Sequence, residues 1–332
     1  MVESGIFTHK MEEQFPAALT VTPTPFDSKA LLKKLEENRK KREKAKAKKR
    51  AAAAAAAAAA SPSPSSTGRH VDVRDDLSYL EFTERYRHKR PVLIRGMATP
   101  WLATSRWQDV THLRTLLEKD VLVLRSPDGH TFLKRECELF DGPFGCVAGT
   151  LFDQSRPARP SDRLYARAPL EGGLRAEVSL EGLEALVGGA AGAHRFKAEK
   201  CGVWLGSAGC VTPLHFDLCH GFLAGILGTK LFTYLAPEDF RSLYPRPEQP
   251  EMSISLQLDL DAAARLATQL TAGEAGPEAE KLAWHALVRP GDVLYTPPYW
   301  WHHVETGADE PALSVLVPFD PTADEALHSC FR

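Results

Sequence analysis

The chain of 332 residues contains no run approaching the roughly 18 apolar residues that a membrane-crossing helix needs. Its first residues, MVESGIFTHKMEEQF, lack the basic-then-apolar order of a secretory signal. The expectation is a soluble intracellular protein, cytoplasmic and/or nuclear, without membrane contact. Six cysteines, Cys137, Cys146, Cys201, Cys210, Cys219 and Cys330, include no C-x-x-C pair, which excludes a zinc knuckle or a thioredoxin-type redox pair. Their dispersal fits free thiols in a reducing compartment. No internal repeat is visible.

Net charge is also nearly absent, at -2, but this hides a division. Residues 1–70 hold 14 Lys and Arg against 7 Asp and Glu, while residues 71–332 hold 27 against 36. The acidic larger part argues against a broadly basic nucleic-acid-binding body. Within the tail, no Gly or Pro interrupts Lys29 to Ala60, and the run of Lys, Leu, Glu, Arg and ten alanines favours a solvated helix. Its apolar cluster, Leu31, Leu32 and Leu35, is too small to join a core. KKREKAKAKKR, within residues 29–50, reads either as a nucleic-acid or import-receptor contact or as a solubilising charged helix. The linker SPSPSSTG then marks a boundary: 1–70 is a tail and 71–332 the folded unit.

From Val71 the texture changes to short strand-like runs with frequent Gly and Pro. Leu77, Leu80, Phe82 and Tyr86 have helical spacing, and RPVLIRG is a buried strand ended by Gly96. Strands are expected at 121–125, 202–206, 222–227, 230–235, 292–296 and 312–317. Many short strands without regular strand–helix alternation predict an antiparallel sandwich or barrel.

The chemistry concentrates in VTPLHFDLCHGF. His215 and Asp217 stand two apart, and period-two strand geometry places both side chains on one face. An imidazole and a carboxylate there make two corners of a metal site. A third ligand from the WWHHVE segment, His302 or His303, would complete a 2-His-1-carboxylate triad that leaves positions open on Fe(II). H-x-D alone is weak. Joined to Lys230, thirteen residues after Asp217, and to PGDVLYTPPYWWHHV, it becomes specific.

These residues resemble the JmjC-domain 2-oxoglutarate oxygenases, and within them the small hydroxylases typified by factor inhibiting HIF. The resemblance runs over most of 77–319 and includes RPVLIRG, DRLYARAPL, VTPLHFD, ILGTKLFTYLAPEDFRSLYPRP, LQLDLD and PGDVLYTPPYWWHHVET. It implies a mainly β fold with flanking helices around a double-stranded β-helix (jelly-roll, cupin) core. It also implies Fe(II) held by His215, Asp217 and His302, with His303 pointing the other way. 2-Oxoglutarate would pair with Lys230, helped by the Thr212 hydroxyl and the Tyr165 phenol, because a dianion in an apolar barrel needs a cation and donors. The implied activity is dioxygenase hydroxylation, with a protein side chain as substrate.

Without the motif, Lys230 reads as a turn lysine, Thr212 as a strand end and Tyr165 as a core aromatic. Trp300 and Trp301 read as packing, and His220 and His285 show no partner pattern. The chain departs from the family at Gly221 and at Leu316 or a neighbour, where many relatives carry asparagines that order the co-substrate. It departs again at Ile254 and Ser255, where the asparaginyl hydroxylase carries an Arg-Gln pair facing its target amide. Two alternatives stay open: a histone N-methyl-lysine demethylase, although no zinc-binding reader pattern accompanies it, and a catalytically silent cupin serving as a protein-binding module.

Overall fold

A computed structural model describes residues 69–132, 137–152, 162–188, 196, 198–239 and 282–322. The expected tail helix, the linker, LQLDLD, Ile254, Ser255 and Cys330 lie outside the described residues.

Strands β1 (Arg69–His70), β2 (Asp72–Arg74), β3 (Val92–Ile94), β4 (Asp120–Arg125), β5 (Glu138–Pro143), β6 (Leu164–Pro169) and β7 (Gly202–Gly206) precede the H-x-D segment. Then follow β8 (Val211–His215), β9 (His220–Leu227), β10 (Lys230–Leu235), β11 (Trp284–Val288), β12 (Val293–Thr296), β13 (Trp301–Thr306) and β14 (Ala312–Phe319). They form two sheets, one ordered β1-β11-β10-β13-β8 and the other β2-β3-β12-β9-β14-β7-β6-β4-β5. Pairing is antiparallel except at β1–β11 and β2–β3. From β8 onward consecutive strands alternate between the sheets except at β10 and β11, which pair with each other in the smaller one, and this is the double-stranded β-helix the resemblance implied.

Side-chain alternation then assigns each residue to one of two cores. Leu93, Phe232, Tyr234, Ala286, Val288, Leu294, Trp300 and Val304 pack between the sheets. On the other face of the larger sheet, Val203, Leu205, Phe222, Val293, Tyr295 and Val315 pack against a helical layer. That layer includes α1 (Tyr79–Glu81), α2 (Leu102–Arg106), α3 (Val110–Leu113), α4 (Phe144–Phe152), α5 (Gly172–Ala176) and α6 (Glu181–Gly188). Helix α4 buries Phe144, Val147, Ala148, Leu151 and Phe152, the i, i+3, i+4, i+7, i+8 stripe of an amphipathic helix. Each large apolar side chain so buried contributes about 1.5–3 kcal/mol.

The expected helix at 77–86 differs in detail. Ser78 caps α1 through the Glu81 amide, but Phe82–Tyr86 continues as a π-helical turn. The wider turn keeps Phe82 and Tyr86 fully buried while Leu80 faces solvent, 61% exposed. Among the described residues none of the five cysteines is joined in a disulfide, and no helix is long and apolar enough to cross a membrane.

Candidate metal centre

Strands β8 and β13 run antiparallel with His302 opposite His215, their ring centres 4.2 Å apart. His302 Nε2 lies 3.8 Å from Asp217 Oδ2, and one ligand atom from each of His215, Asp217 and His302 lies within 4.8 Å of the others. Among the described residues no other group of three or more His, Cys, Asp or Glu is gathered in this way.

Backbone carbonyls fix both rings. Nδ1–H of His215 donates to the Pro213 oxygen at 2.7 Å, and Nδ1–H of His302 donates to the Trp300 oxygen at 2.9 Å. A carbonyl only accepts, so each Nδ1 carries a proton, and each Nε2 is the ring atom turned to the centre for a ligand role. Burial, and then the neighbouring His215, push the His302 pKa down to about 4, with Asp217 opposing. His302 is therefore neutral at ordinary pH, as a metal ligand must be. The Asp217 carboxylate, 45% exposed, brings charge to the open side. Two imidazoles fixed by backbone carbonyls and one carboxylate fit a hard-to-borderline divalent ion with positions left for other ligands.

Period-two geometry does not bring His215 and Asp217 together. Strand β8 ends at His215, and Asp217 sits in the turn beyond it. Its carbonyl accepts the Tyr299 N–H at 2.9 Å, which ties this turn to the entry of β13. A bulge arranges Thr212. Between β13 and β8 the register passes from His302–His215 to Val304–Thr212, so β8 uses three steps where β13 uses two. The extra residue returns Thr212 to the face that His215 occupies.

Lys230 opens β10 and is 4% exposed, so it is not a turn lysine at the surface. It pairs in register with Thr306 on β13 and Val288 on β11, which points its side chain between the sheets. The ammonium lies 5.6 Å from the centre of the Tyr165 ring, and among the described residues no carboxylate pairs with it. Tyr165 reaches it from β6 in the facing sheet. Gly206 makes that possible, since a Cβ there would stand 3.0 Å from Tyr165 Cδ2. Thr212, Tyr165, His215, Lys230 and His302 thus share the space between the sheets.

His303 alternates to the outer face and Nε2 meets Glu305 Oε1 at 3.0 Å. Trp300 and Trp301 are buried, and Trp300 Nε1–H donates to the Lys89 oxygen. His220 and His285 do have partners: Nδ1 of His220 lies 2.8 Å from the Tyr295 hydroxyl, and Nδ1 of His285 lies 3.2 Å from Thr233 Oγ1. A Cβ added to Gly221 would lie 3.5 Å from Leu316 Cδ1, so these two positions of departure are neighbours.

Sequence reading missed Phe232 and Tyr234, whose rings flank His302 at 6.1 and 5.8 Å. Alternation from Lys230 through KLFTYL was the signal that placed them on the same inner face. The Tyr234 hydroxyl bonds Thr296 Oγ1 at 2.6 Å, and burial pushes its pKa up, so it remains protonated beside the centre.

A two-sheet jelly roll with a His-Asp-His constellation between its sheets defines a cupin. The sequence matches the family described as Cupin-like domain over residues 78–325, and the chain belongs to that family. It is 36% identical over 113 residues to Jumonji C domain-containing protein 5 of Drosophila melanogaster, covering 34% of this chain and 25% of that protein. It is 28% identical over 250 residues to Lysine-specific demethylase JMJ30 of Arabidopsis thaliana, covering 72% of this chain and 53% of that one. The chain thus spans about half or less of these two relatives. The solved structure of ycfD from Escherichia coli is similar with a TM-score of 0.43 and 18% identity, over 75% of this chain and 55% of that one.

Proposed function

We propose that the chain is an Fe(II)- and 2-oxoglutarate-dependent dioxygenase that hydroxylates a protein side chain. His215, Asp217 and His302 hold the iron, and Lys230, Thr212 and Tyr165 bind the far carboxylate of the co-substrate. The observation that carries this reading is Lys230: a cation 4% exposed, between the sheets, with an aromatic ring for company and no carboxylate among the described residues. Burying an ammonium without an anion costs several kcal/mol, so the position calls for an anionic ligand. The His-Asp-His group opens onto the same interior, which makes that ligand one shared with a metal.

Iron with 2-oxoglutarate supplies oxygen activation and C–H oxidation, chemistry that no side chain here provides. The protein's part is positioning and exclusion. Pro213 and Trp300 hold the two imidazole tautomers, Lys230 anchors the dianion, and Phe232, Tyr234 and Val304 keep water from the inner wall. Residues 71–332 are the catalytic domain. Residues 1–70 are an appended tail whose basic segment 29–50 contacts nucleic acid or an import receptor.

The decisive experiment adds 2-oxoglutarate to purified full-length protein. It should raise Tm only when Mn(II) is present as an unreactive stand-in, and with Fe(II) and oxygen succinate should be released. No shift and no succinate would leave a silent cupin, the reading that the departures at Gly221 and Leu316 favour. The demethylase names among the relatives favour a second reading. Hydroxylation at an N-methyl carbon gives an unstable hemiaminal that expels formaldehyde, whereas hydroxylation at an ordinary carbon persists. Methylated histone peptides should therefore yield no formaldehyde above a metal-free control.

A further inference from the structure

Arg167 lies on β6 two residues after Tyr165, and strand alternation puts both on the face turned toward the interior. The larger sheet gives a scale along that face. Tyr165, Gly206 and Ala312 form one cross-strand row, and Tyr165 meets Lys230. Thr296 and Gly221 belong to another row, and Thr296 bonds Tyr234, which pairs with His302. Arg167, Trp204 and Ser314 form a row between these two. The side chain of Arg167 therefore sits along the wall that runs from the Lys230 end to the metal-ligand end.

Three features prepare this guanidinium. Its Cζ lies over the Trp204 ring, 5.4 Å from its centre. Gly202 clears room for it, because a Cβ there would lie 3.3 Å from Arg167 Nε. It is exposed, and among the described residues it has the Trp204 ring and no carboxylate as partner. A ring contact of this kind uses the π-face of the indole and none of the five guanidinium N–H donors as a hydrogen bond to oxygen, so a two-oxygen acceptor can still be taken. The domain around it is acidic in balance, so this cation offers an anion a local site that the general surface does not.

We infer that the substrate carries an Asp or Glu side chain beside the residue that is oxidised, and that Arg167 on its Trp204 platform pairs with it. The inference rests on the co-substrate reading above, since it assigns the same face of the larger sheet. An exposed charge-assisted pair of this kind favours a carboxylate over its amide by about twofold to fivefold.

The test pans full-length Mn(II)-loaded protein, with 2-oxoglutarate, against a library of acetylated, amidated random hexapeptides and sequences what is retained. Wild type should enrich Asp and Glu over Asn and Gln, Arg167→Gln should lose that enrichment, and Arg167→Glu should reverse it toward Lys and Arg. Acidic enrichment absent from wild type, or kept by Arg167→Gln, overturns the inference. The Mn(II)-dependent Tm rise with 2-oxoglutarate is measured on the same preparations. Its presence without acidic enrichment removes only the Arg167 assignment, whereas its absence removes the co-substrate reading and this inference with it.

Discussion

The amide of Tyr299 donates to the carbonyl of Asp217 at 2.9 Å while Tyr299 itself holds a left-handed backbone, φ 68°. That conformation costs a residue with a Cβ about 1–2 kcal/mol, and least in Asn or Gly. The strain sits three residues before His302 and staples the turn carrying one candidate ligand to the strand carrying another. Asn tolerates this conformation and Val does not, while both lose the ring that faces Phe216. Tyr299→Asn should keep Mn(II) affinity within about threefold and Tyr299→Val should weaken it by about tenfold, roughly 1.4 kcal/mol. Equal losses by calorimetric titration would assign the effect to the ring.

Replacing His215, Asp217 or His302 by Ala leaves two ligands, too few to retain a divalent ion. His303→Ala removes a side chain from the opposite face of β13, where its partner is Glu305. Metal analysis after anaerobic loading should find the first three variants empty and the fourth loaded. The fourth should pay instead in Tm, since His303 is 1% exposed. An empty His303→Ala protein that remains folded would show that the wrong histidine of the pair has been assigned.

The strands were legible because alternation survives in GVWLG, KLFTYL and ALSVLV, each of which is a strand at nearly the expected bounds, whereas the jelly-roll order followed from the family resemblance. The gathering of His215, Asp217 and His302 followed from motif spacing, yet the reason given for it did not hold. Asp217 leaves the strand, and its place depends on Tyr299, 82 positions away, a dependence no local pattern encodes. The Thr212 bulge is hidden likewise, because register is a property of two strands and the sequence presents one at a time. Exposure of Leu80 escaped for a third reason: a π turn and an α turn share apolar positions four apart.

Lys230→Ala should weaken 2-oxoglutarate binding by about a hundredfold or more, near 3 kcal/mol, because it strands the far carboxylate without a cation. Mn(II) affinity measured without the co-substrate should stay close to wild type, as Lys230 is not among the gathered ligands. The concentration of 2-oxoglutarate giving half the maximal Tm shift in Mn(II) reports the first quantity. An unchanged half-point would remove Lys230 from the binding site.

Far from the centre, Glu177 predicts how the fold responds to acid. It is buried, and it accepts from Trp107 Nε1–H at 2.8 Å and Arg106 at 3.0 Å, while His112 Nε2 lies at 2.9 Å, which ties α2 and α3 to the chain after α5. Burial pushes its pKa up, but the hydrogen bonds from His112, Arg106 and Trp107 outweigh this and hold it below the ordinary value of 4.5. The unfolded chain therefore takes up a proton at a higher pH than the native one. The stabilisation is fully present above about pH 4.5 and is lost as pH falls through the lowered native value. Glu177→Gln weakens the charged acceptor at every pH and should cost about 1–3 kcal/mol near neutrality. Its Tm should also fall less steeply than wild type between about pH 5 and 3, because the variant has no carboxylate at this position to protonate. Parallel acid limbs in the two proteins would show that Glu177 does not contribute to acid unfolding.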